Sequence, residues 1–413
     1  MDLIGIPLQV VVGKAAKNES KIELRYRSDK QNTNLYTIDD ILESLDSHQR
    51  YDIPHEKMSL PFAILSTDNL KYNIAVIRER APNSKMMVML KANAYGHGIR
   101  STAMRIDNLV DFIGVARIDE GLALRKVGVK APICIMQGGY SQEDVIVAAC
   151  NNFELIIHDK EQISCLDIKT PRKVNVWLKV DTGIGRLGFR VDEAMSVYEK
   201  LTTLSSVGNI TLTSHFACAD DIDHPLNELQ MKRFHQLAVD FPGPKSLANS
   251  AGIFNFSQSH YDVVRPGIAI YGISPIKDKI GLDLGLKPVM TLFAKVMSVR
   301  DIEAGTTIGY GARFTTQSNI KLATVAIGYG DGYPRSAIDG TKVLIKNKIC
   351  EIIGRVSMDM ITINTTNCEE VKCGDLVTIW GENLPVEVVS KCTHNSQYDI
   401  ITNIQLRVKF HWS

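Results

Sequence analysis

Between residues 85 and 272 short apolar runs alternate with longer amphipathic stretches. The runs are MMVMLKA (86–92), FIGVA (112–116), ICIMQG (133–138), FELIIHD (153–159), VNVWLKVD (174–181), ITLTSHFA (210–217), SLANS (246–250) and VVRPGIAIYG (263–272). Each has strand length. Between them, DEGLALRKV, DEAMSVYEKLTTL and ELQMKRFHQLAVDF carry apolar residues at helical spacing. Eight strand–helix steps predict a (β/α)8 TIM-type barrel over residues 59–288. An open doubly wound sheet is the alternative, but no G-x-G-x-x-G turn is present. After about residue 288 the helical pattern stops. LFAKVMSVRDI, IKLATVAIG, TKVLIKNKICEIIGRVSM, MITINTT and DLVTIW read as strands between Gly, Asp and Asn turns, so 289–413 is expected to be an all-β domain. Residues 1–58 form an N-terminal extension. There IPLQVVV and KIELRYR read as strands, DKQNTN as a loop and IDDILESLD as a short helix, with no motif of chemical content.

At 413 residues the chain is long for a single domain. Its net charge of +1 gives no reason to expect nucleic acid or an anionic membrane as partner. No apolar run reaches the ~20 residues that span a bilayer, and MDLIGIPLQ lacks the basic start of a secretory signal. The eight cysteines are scattered, without C-x-x-C or zinc spacing. Reduced thiols, a cytoplasmic location and no metal are expected.

In such a barrel the reactive groups sit at the C-terminal ends of strands. Lys91 follows MMVML where the run gives way to the Gly-rich loop KANAYGHG, and a lysine there suits a Schiff base with a carbonyl cofactor. Barrels often bind phosphate after strands seven and eight. Gly267 permits close backbone approach, Ile268 offers a second N–H, and Ser250, closing the seventh run in ANS, adds a hydroxyl. Arg265 lies in the eighth run. Beside a pyridine nitrogen an arginine would keep its proton, leave the ring a weaker electron sink and suppress side reactions.

KANAYGHG, LKVDTGIGRLGF, SHFACAD, ANS, RPGIAIYG, IGYGARF, IGYGDGYPR, GRVSMDM and GDLVTIWG occur in the order of the alanine racemase family, which the chain resembles from about residue 60 to 408. The resemblance implies a barrel plus β domain, pyridoxal 5'-phosphate as cofactor, and a head-to-tail homodimer with shared sites. It implies interconversion of L- and D-alanine, supplying D-alanine for peptidoglycan. Lys91 resembles the lysine that holds the cofactor and serves as one base, and Tyr310, in IGYGARF, the base on the opposite face. Tyr95 and Tyr398 resemble the phosphate-side tyrosines. Arg265 matches the partner of the pyridine nitrogen, and His215 the histidine that orients it. Arg186 resembles the substrate-carboxylate arginine, Met358 a backbone donor to that carboxylate from the partner subunit, and Tyr329 the tyrosine that narrows the substrate channel. Lys179 corresponds to a lysine carbamylated in many members. A phenol that serves as base needs a neighbouring positive charge, which His215 and Arg265 are expected to supply. The segment around Tyr398, the 58 leading residues and Ser357 (a cysteine in the family) depart from the pattern. A racemase of broader scope, acting on serine or larger side chains, is the alternative. Tyr310, Tyr329 and Tyr398 as pocket walls favour a methyl-sized group. A non-catalytic cofactor-carrying barrel would lack the β domain and Tyr310.

Overall fold

The computed structural model describes the backbone of residues 8–11, 22–26 and 34–36, and residues 61–368 and 370–413 in full. Two compact units divide at Met58 and Ser59. The first contains an antiparallel sheet of Leu8–Val11 (β1), Ile22–Tyr26 (β2) and Asn34–Tyr36 (β3), with Leu8 opposite Tyr26 and Ile22 opposite Tyr36. Strands β1 and β2 fall in the two runs read as strands. Strand β3 starts at the end of the expected DKQNTN loop, and the expected helix IDDILESLD lies outside the described residues.

In the second unit Phe62–Leu65 (β4) precedes the barrel and joins the C-terminal sheet. The barrel strands are Lys85–Met89 (β5), Phe112–Val115 (β6), Ile133–Ile135 (β7), Phe153–Ile157 (β8), Val174–Lys179 (β9), Val207–Thr213 (β10), Lys245–Ser246 (β11) and Val263–Val264 (β12). Neighbours from β5 to β11 are all parallel, and β12 returns beside β5 with Val263 opposite Lys85. Between β11 and β12 the ring closes through a single parallel bridge, Asn249 to Arg265. Helices cover the outer face, so the strands are apolar on both sides. All five residues of β8 are buried. The helices carry legible caps, such as Ser66 accepting from the Asn69 N–H (3.1 Å) and Ser141 from that of Asp144 (3.1 Å).

The C-terminal sheet is built on the long strand Met290–Ile302 (β13). Thr307–Ile308 (β14) and Phe314–Thr315 (β15) form a small hairpin beside it. Ile320–Val325 (β16), Lys342–Ile345 (β17), Lys348–Ile352 (β18), Ile361–Asn364 (β19), Leu376–Trp380 (β20) and Lys409–Trp412 (β21) complete the order β16-β19-β18-β17-β20-β13-β4-β21, with β13 also pairing β16. Strand β4, counted with the barrel span in the sequence, lies antiparallel to β13 and parallel to β21. With eight strands already closing the barrel, its edges are satisfied only here. The C-terminal part is not free of helices either. Val386–Ser390 and Gln397–Thr402 are short helices. The second opens on Ser396, whose hydroxyl and Asp399 cap each other, a signal written in the sequence as S-Q-Y-D. Among the described residues no helix is long and apolar enough to cross a membrane.

Candidate active site

Strand β5 delivers Lys91 to the barrel mouth, and the residues after it do not form a glycine-rich loop. Ala92, Asn93, Ala94 and Tyr95 have φ of 52, 56, 55 and 51°, a single left-handed turn built from residues with side chains. Such a turn costs about 1–2 kcal/mol per residue, so its neighbours must hold it. The Ala92 N–H donates to Glu120 Oε1 (3.0 Å). The carbonyls of Ala92, Ala94 and Asn93 accept from Gly96, His97 and Gly98 at 3.0–3.1 Å. Asn93 Oδ1 accepts from the Ile99 N–H (2.9 Å). Gly96 closes the turn at φ 81°, and a Cβ there would lie 1.9 Å from the Ile401 carbonyl oxygen, so both conformation and space require glycine. Lys91 opens to the outside yet is hemmed in by protein. Burial first, and then Arg186, hold its ammonium below the ordinary lysine range, while Glu120 opposes them.

Tyr95 leads to the phosphate-type residues. Its ring is buried, 5.2 Å from that of Tyr271 and 6.2 Å from that of Tyr398. A Cβ on Gly267 would fall 2.5 Å from the Tyr95 hydroxyl oxygen. Ser250 does not end a strand. It begins the helix Ser250–Asn255, and its Oγ accepts from the Gly267 N–H (2.7 Å), leaving its own proton to donate. Ile268 starts a one-turn 3-10 helix, where the first N–H groups lack helical partners. Burial, helped by Tyr398, raises the Tyr95 phenol, and burial with Asp220 pushes Tyr398 up to about 12, so both hydroxyls stay protonated donors.

Arg265 lies one residue beyond β12 rather than within it, and is buried. Nη1 donates to Thr213 Oγ1 (3.1 Å) and Ser246 Oγ (2.6 Å), and Nη2 to the Ser214 (2.5 Å) and Leu247 (3.1 Å) carbonyls. Nη2 also lies 3.4 Å from His215 Nδ1, which therefore accepts. Burial lowers Arg265 to about 10, so it remains a cation at neutral pH. Burial and then Arg265 drive His215 well below its ordinary value. The histidine is neutral, and of the pair only Arg265 carries charge.

Lys179 ends β9, whereas Arg186 sits beyond it in an excursion from 181 to 188 rather than at the strand end. The excursion is pinned by Asp181, whose carboxylate accepts from the N–H groups of Gly183, Ile184 and Gly185 at 2.8, 2.9 and 2.9 Å. Burial, then Arg265, then Arg186 lower the Lys179 ammonium to about 8.

Tyr310, Tyr329 and Met358 stand apart from this cluster on the β domain. They are 71%, 38% and 54% exposed, and none bonds to a mouth residue among the described residues. Loop contacts hold them to one another. The N–H groups of Tyr329 and Gly330 donate to the carbonyls of Ser357 (3.1 Å) and Met358 (2.8 Å), and Arg313 reaches the Gly354 carbonyl (2.8 Å). The mouth thus gathers Lys91, Tyr95, Lys179, Arg186, His215, Ser250, Arg265, Gly267, Ile268 and Tyr398, and Tyr310, Tyr329 and Met358 form no hydrogen bond to any of them among the described residues.

Residues 65–275 match the family described as alanine racemase, N-terminal domain, and residues 289–412 the alanine racemase C-terminal domain. The chain is 40% identical to the alanine racemase of Haemophilus influenzae over 84% of its own length and 96% of that protein's. The chain belongs to the alanine racemase family. Its activity is alanine racemisation, an isomerase reaction. The biosynthetic alanine racemase structure from Pseudomonas aeruginosa matches with a TM-score of 0.84 at 34% identity, covering 86% of this chain and all of that one. An alanine racemase structure from Bartonella henselae with covalently bound pyridoxal phosphate matches at 0.79 and 29% identity, over 86% and 100% of the two chains.

Within this alanine racemase frame several residues escaped sequence reasoning. Glu120, Asp181 and His97 act on backbone N–H groups and carbonyls of the mouth loops. Asp181 and Glu120 carry a weak signal, since an acid near a turn or helix start often accepts from backbone. Arg407 ties Asp331 (2.6 Å) to Asp359 (2.7 Å), bracing the Tyr329 and Met358 loops, and has no local signal because its partners lie far away in the chain.

Proposed function

We propose that the enzyme racemises alanine with two bases on opposite faces of Cα, Lys91 and Tyr310, using pyridoxal 5'-phosphate in the barrel mouth of a homodimer. The observation that carries this reading is a donor set suited to that cofactor. Lys91 has its ammonium held below the ordinary lysine range by the protein around it and by Arg186, and beside Tyr95 the Gly267 position leaves no room for a side chain. Two protonated phenols, the Ser250 hydroxyl and the Ile268 N–H would hold the phosphate, with Gly267 giving the close approach and orienting Ser250 through its N–H, and Arg265 would hold the pyridine nitrogen. Bound there, pyridoxal phosphate supplies a conjugated ring that makes the Cα–H of alanine acidic. Lys91 accepts or returns the proton on one face, and the burial and Arg186 charge that hold its ammonium below the ordinary lysine range favour that role. Tyr310 handles it on the other. Arg265 keeps its own proton, so the ring nitrogen gains none from it and side reactions are restrained. Arg186 binds the alanine carboxylate, aided by the Met358 N–H of a second copy, and Tyr329 narrows the entrance. The eight unpaired thiols suit a cytoplasmic enzyme, and D-alanine made there would feed peptidoglycan. Residues 1–58 are read as an accessory to a barrel from 59 to 288 and a β domain from 289 to 413. The purified protein should carry a visible absorbance band from bound cofactor that Lys91→Ala removes. A band retained in that variant would reject Lys91 as its anchor.

Lys179 is proposed to be carbamylated. With its pKa near 8, about a tenth of the amine is neutral at pH 7, roughly two to three orders of magnitude more than for a free lysine. The neutral amine adds to CO2 and loses a proton, turning a third cation beside Arg265 and Arg186 into an anion that Arg186 can bind. Lys179→Ala should lose activity and recover part of it with added short carboxylates. Carbon-13 bicarbonate should label the wild-type side chain, more fully as pH rises toward 8. An active Lys179→Ala protein indifferent to carboxylates would remove this role.

A further inference from the structure

The left-handed turn at the barrel mouth ends on a histidine that this reaction does not use. His97 is fully buried. Its ring stacks on Tyr271 with centroids 4.4 Å apart and planes at 28°. Tyr271 in turn donates its hydroxyl to the Met89 carbonyl (3.0 Å) and packs against Tyr95. His97 Nδ1 lies 3.0 Å from the Tyr95 carbonyl oxygen. A carbonyl only accepts, so Nδ1 carries the proton there. Burial drives the imidazole down to about 4, against the backbone contacts with Tyr95 and Ala94, and the ring is neutral at working pH. Nε2 has no hydrogen-bond partner among the described residues, and His97 lines a small cavity with Trp380 and Glu387. The polar work of the ring is therefore on the Tyr95 side.

That contact falls where the turn most needs it. The carbonyls of Ala92, Asn93 and Ala94 take backbone N–H donors, whereas that of Tyr95 takes the imidazole. Tyr95 is itself left-handed, at φ 51°, and its hydroxyl is packed tightly beside Gly267. A small rotation of its peptide would swing the hydroxyl away. We propose that His97 is a positioning residue, whose Nδ1–H fixes the Tyr95 carbonyl and thereby aims the Tyr95 hydroxyl at the phosphate of the cofactor. The proposal rests on the reading of Tyr95 as a phosphate donor.

The test compares two amides differing by one methylene. Asparagine at 97 puts its amide nitrogen where Nδ1 lies, and glutamine puts it where Nε2 lies. Apoprotein is titrated with pyridoxal 5'-phosphate and with pyridoxal, which lacks the phosphate, and followed by absorbance rather than turnover. His97→Asn should keep the wild-type preference for the phosphorylated form. His97→Gln should lose about tenfold of it, the scale of one hydrogen bond, with pyridoxal binding unchanged. Tyr95→Phe added to His97→Gln should cost nothing further. Equal weakening toward both ligands, or the same behaviour from Asn and Gln, would overturn the proposal. If His97→Gln does not fold, His97→Phe keeps the stack without the donor and is read by the same ratio. A Tyr95→Phe protein with the wild-type preference would instead overturn the reading of Tyr95, and the role of His97 with it.

Discussion

Mixed dimers of Lys91→Ala and Tyr310→Phe chains are expected to recover activity that neither variant shows alone. Lys91 stands at the barrel mouth, open to the outside, while Tyr310 is 71% exposed on the β domain, its hydroxyl unbonded among the described residues. Two bases that must flank one small Cα then meet if a second copy brings its β domain over the mouth. In a closed two-fold pairing each chain lends Tyr310 to its partner. A mixed dimer therefore has one site with both defects and one with neither. Random reassociation makes half the dimers mixed, so about a quarter of wild-type activity should return after joint unfolding and refolding. Heterodimers that form, as judged by a size tag on one chain, and stay inactive would place both bases within one chain.

Tyr310→Phe is expected to separate the two enantiomers in solvent exchange. Losing a positioned acid–base group costs about 10²–10⁴-fold. That loss should fall on deuterium exchange at Cα of L-alanine. Exchange into D-alanine, which the proposed face assignment gives to Lys91, should change by less than about tenfold. The structure makes Arg265 the sole charge of its pair, because His215 is driven neutral by burial and by Arg265 itself. Within that pair, aid to ionisation of the opposing base can come only from Arg265, and His215→Asn, which retains an acceptor, should be milder than Arg265→Leu in the same assay. Equal loss of exchange from both enantiomers in Tyr310→Phe would reject the assignment of faces.

The residues of the mouth were legible because barrel strands are short and apolar, and motif-bearing side chains follow the first strand and the last four closely. Lys91, Lys179 and Arg265 sit at or just past a strand end, where strand period and barrel geometry put them. Reading was poorer wherever a side chain serves backbone. KANAYGHG reads as a Gly-rich loop, since apart from Asn93 nothing in its residue types favours four successive left-handed residues. Helix Gln397–Thr402 was hidden in a polar stretch too short for periodicity, although its capping pair was there to read.

The sequence by itself determined the barrel, the second sheet and the family, because hydrophobic period and ordered motifs are local properties of the chain. Tertiary structure decided what depends on distant neighbours. Strand β4 leaves the barrel for β13 and β21 because only there do its backbone groups find partners. The Gly267 N–H is taken by Ser250, and His215 is neutral, because a hydrogen bond and a desolvated charge each require two groups brought together from different strands. The left-handed turn survives because Glu120, Asn93, His97 and Ile401 close around it, and no stretch of the sequence contains all four.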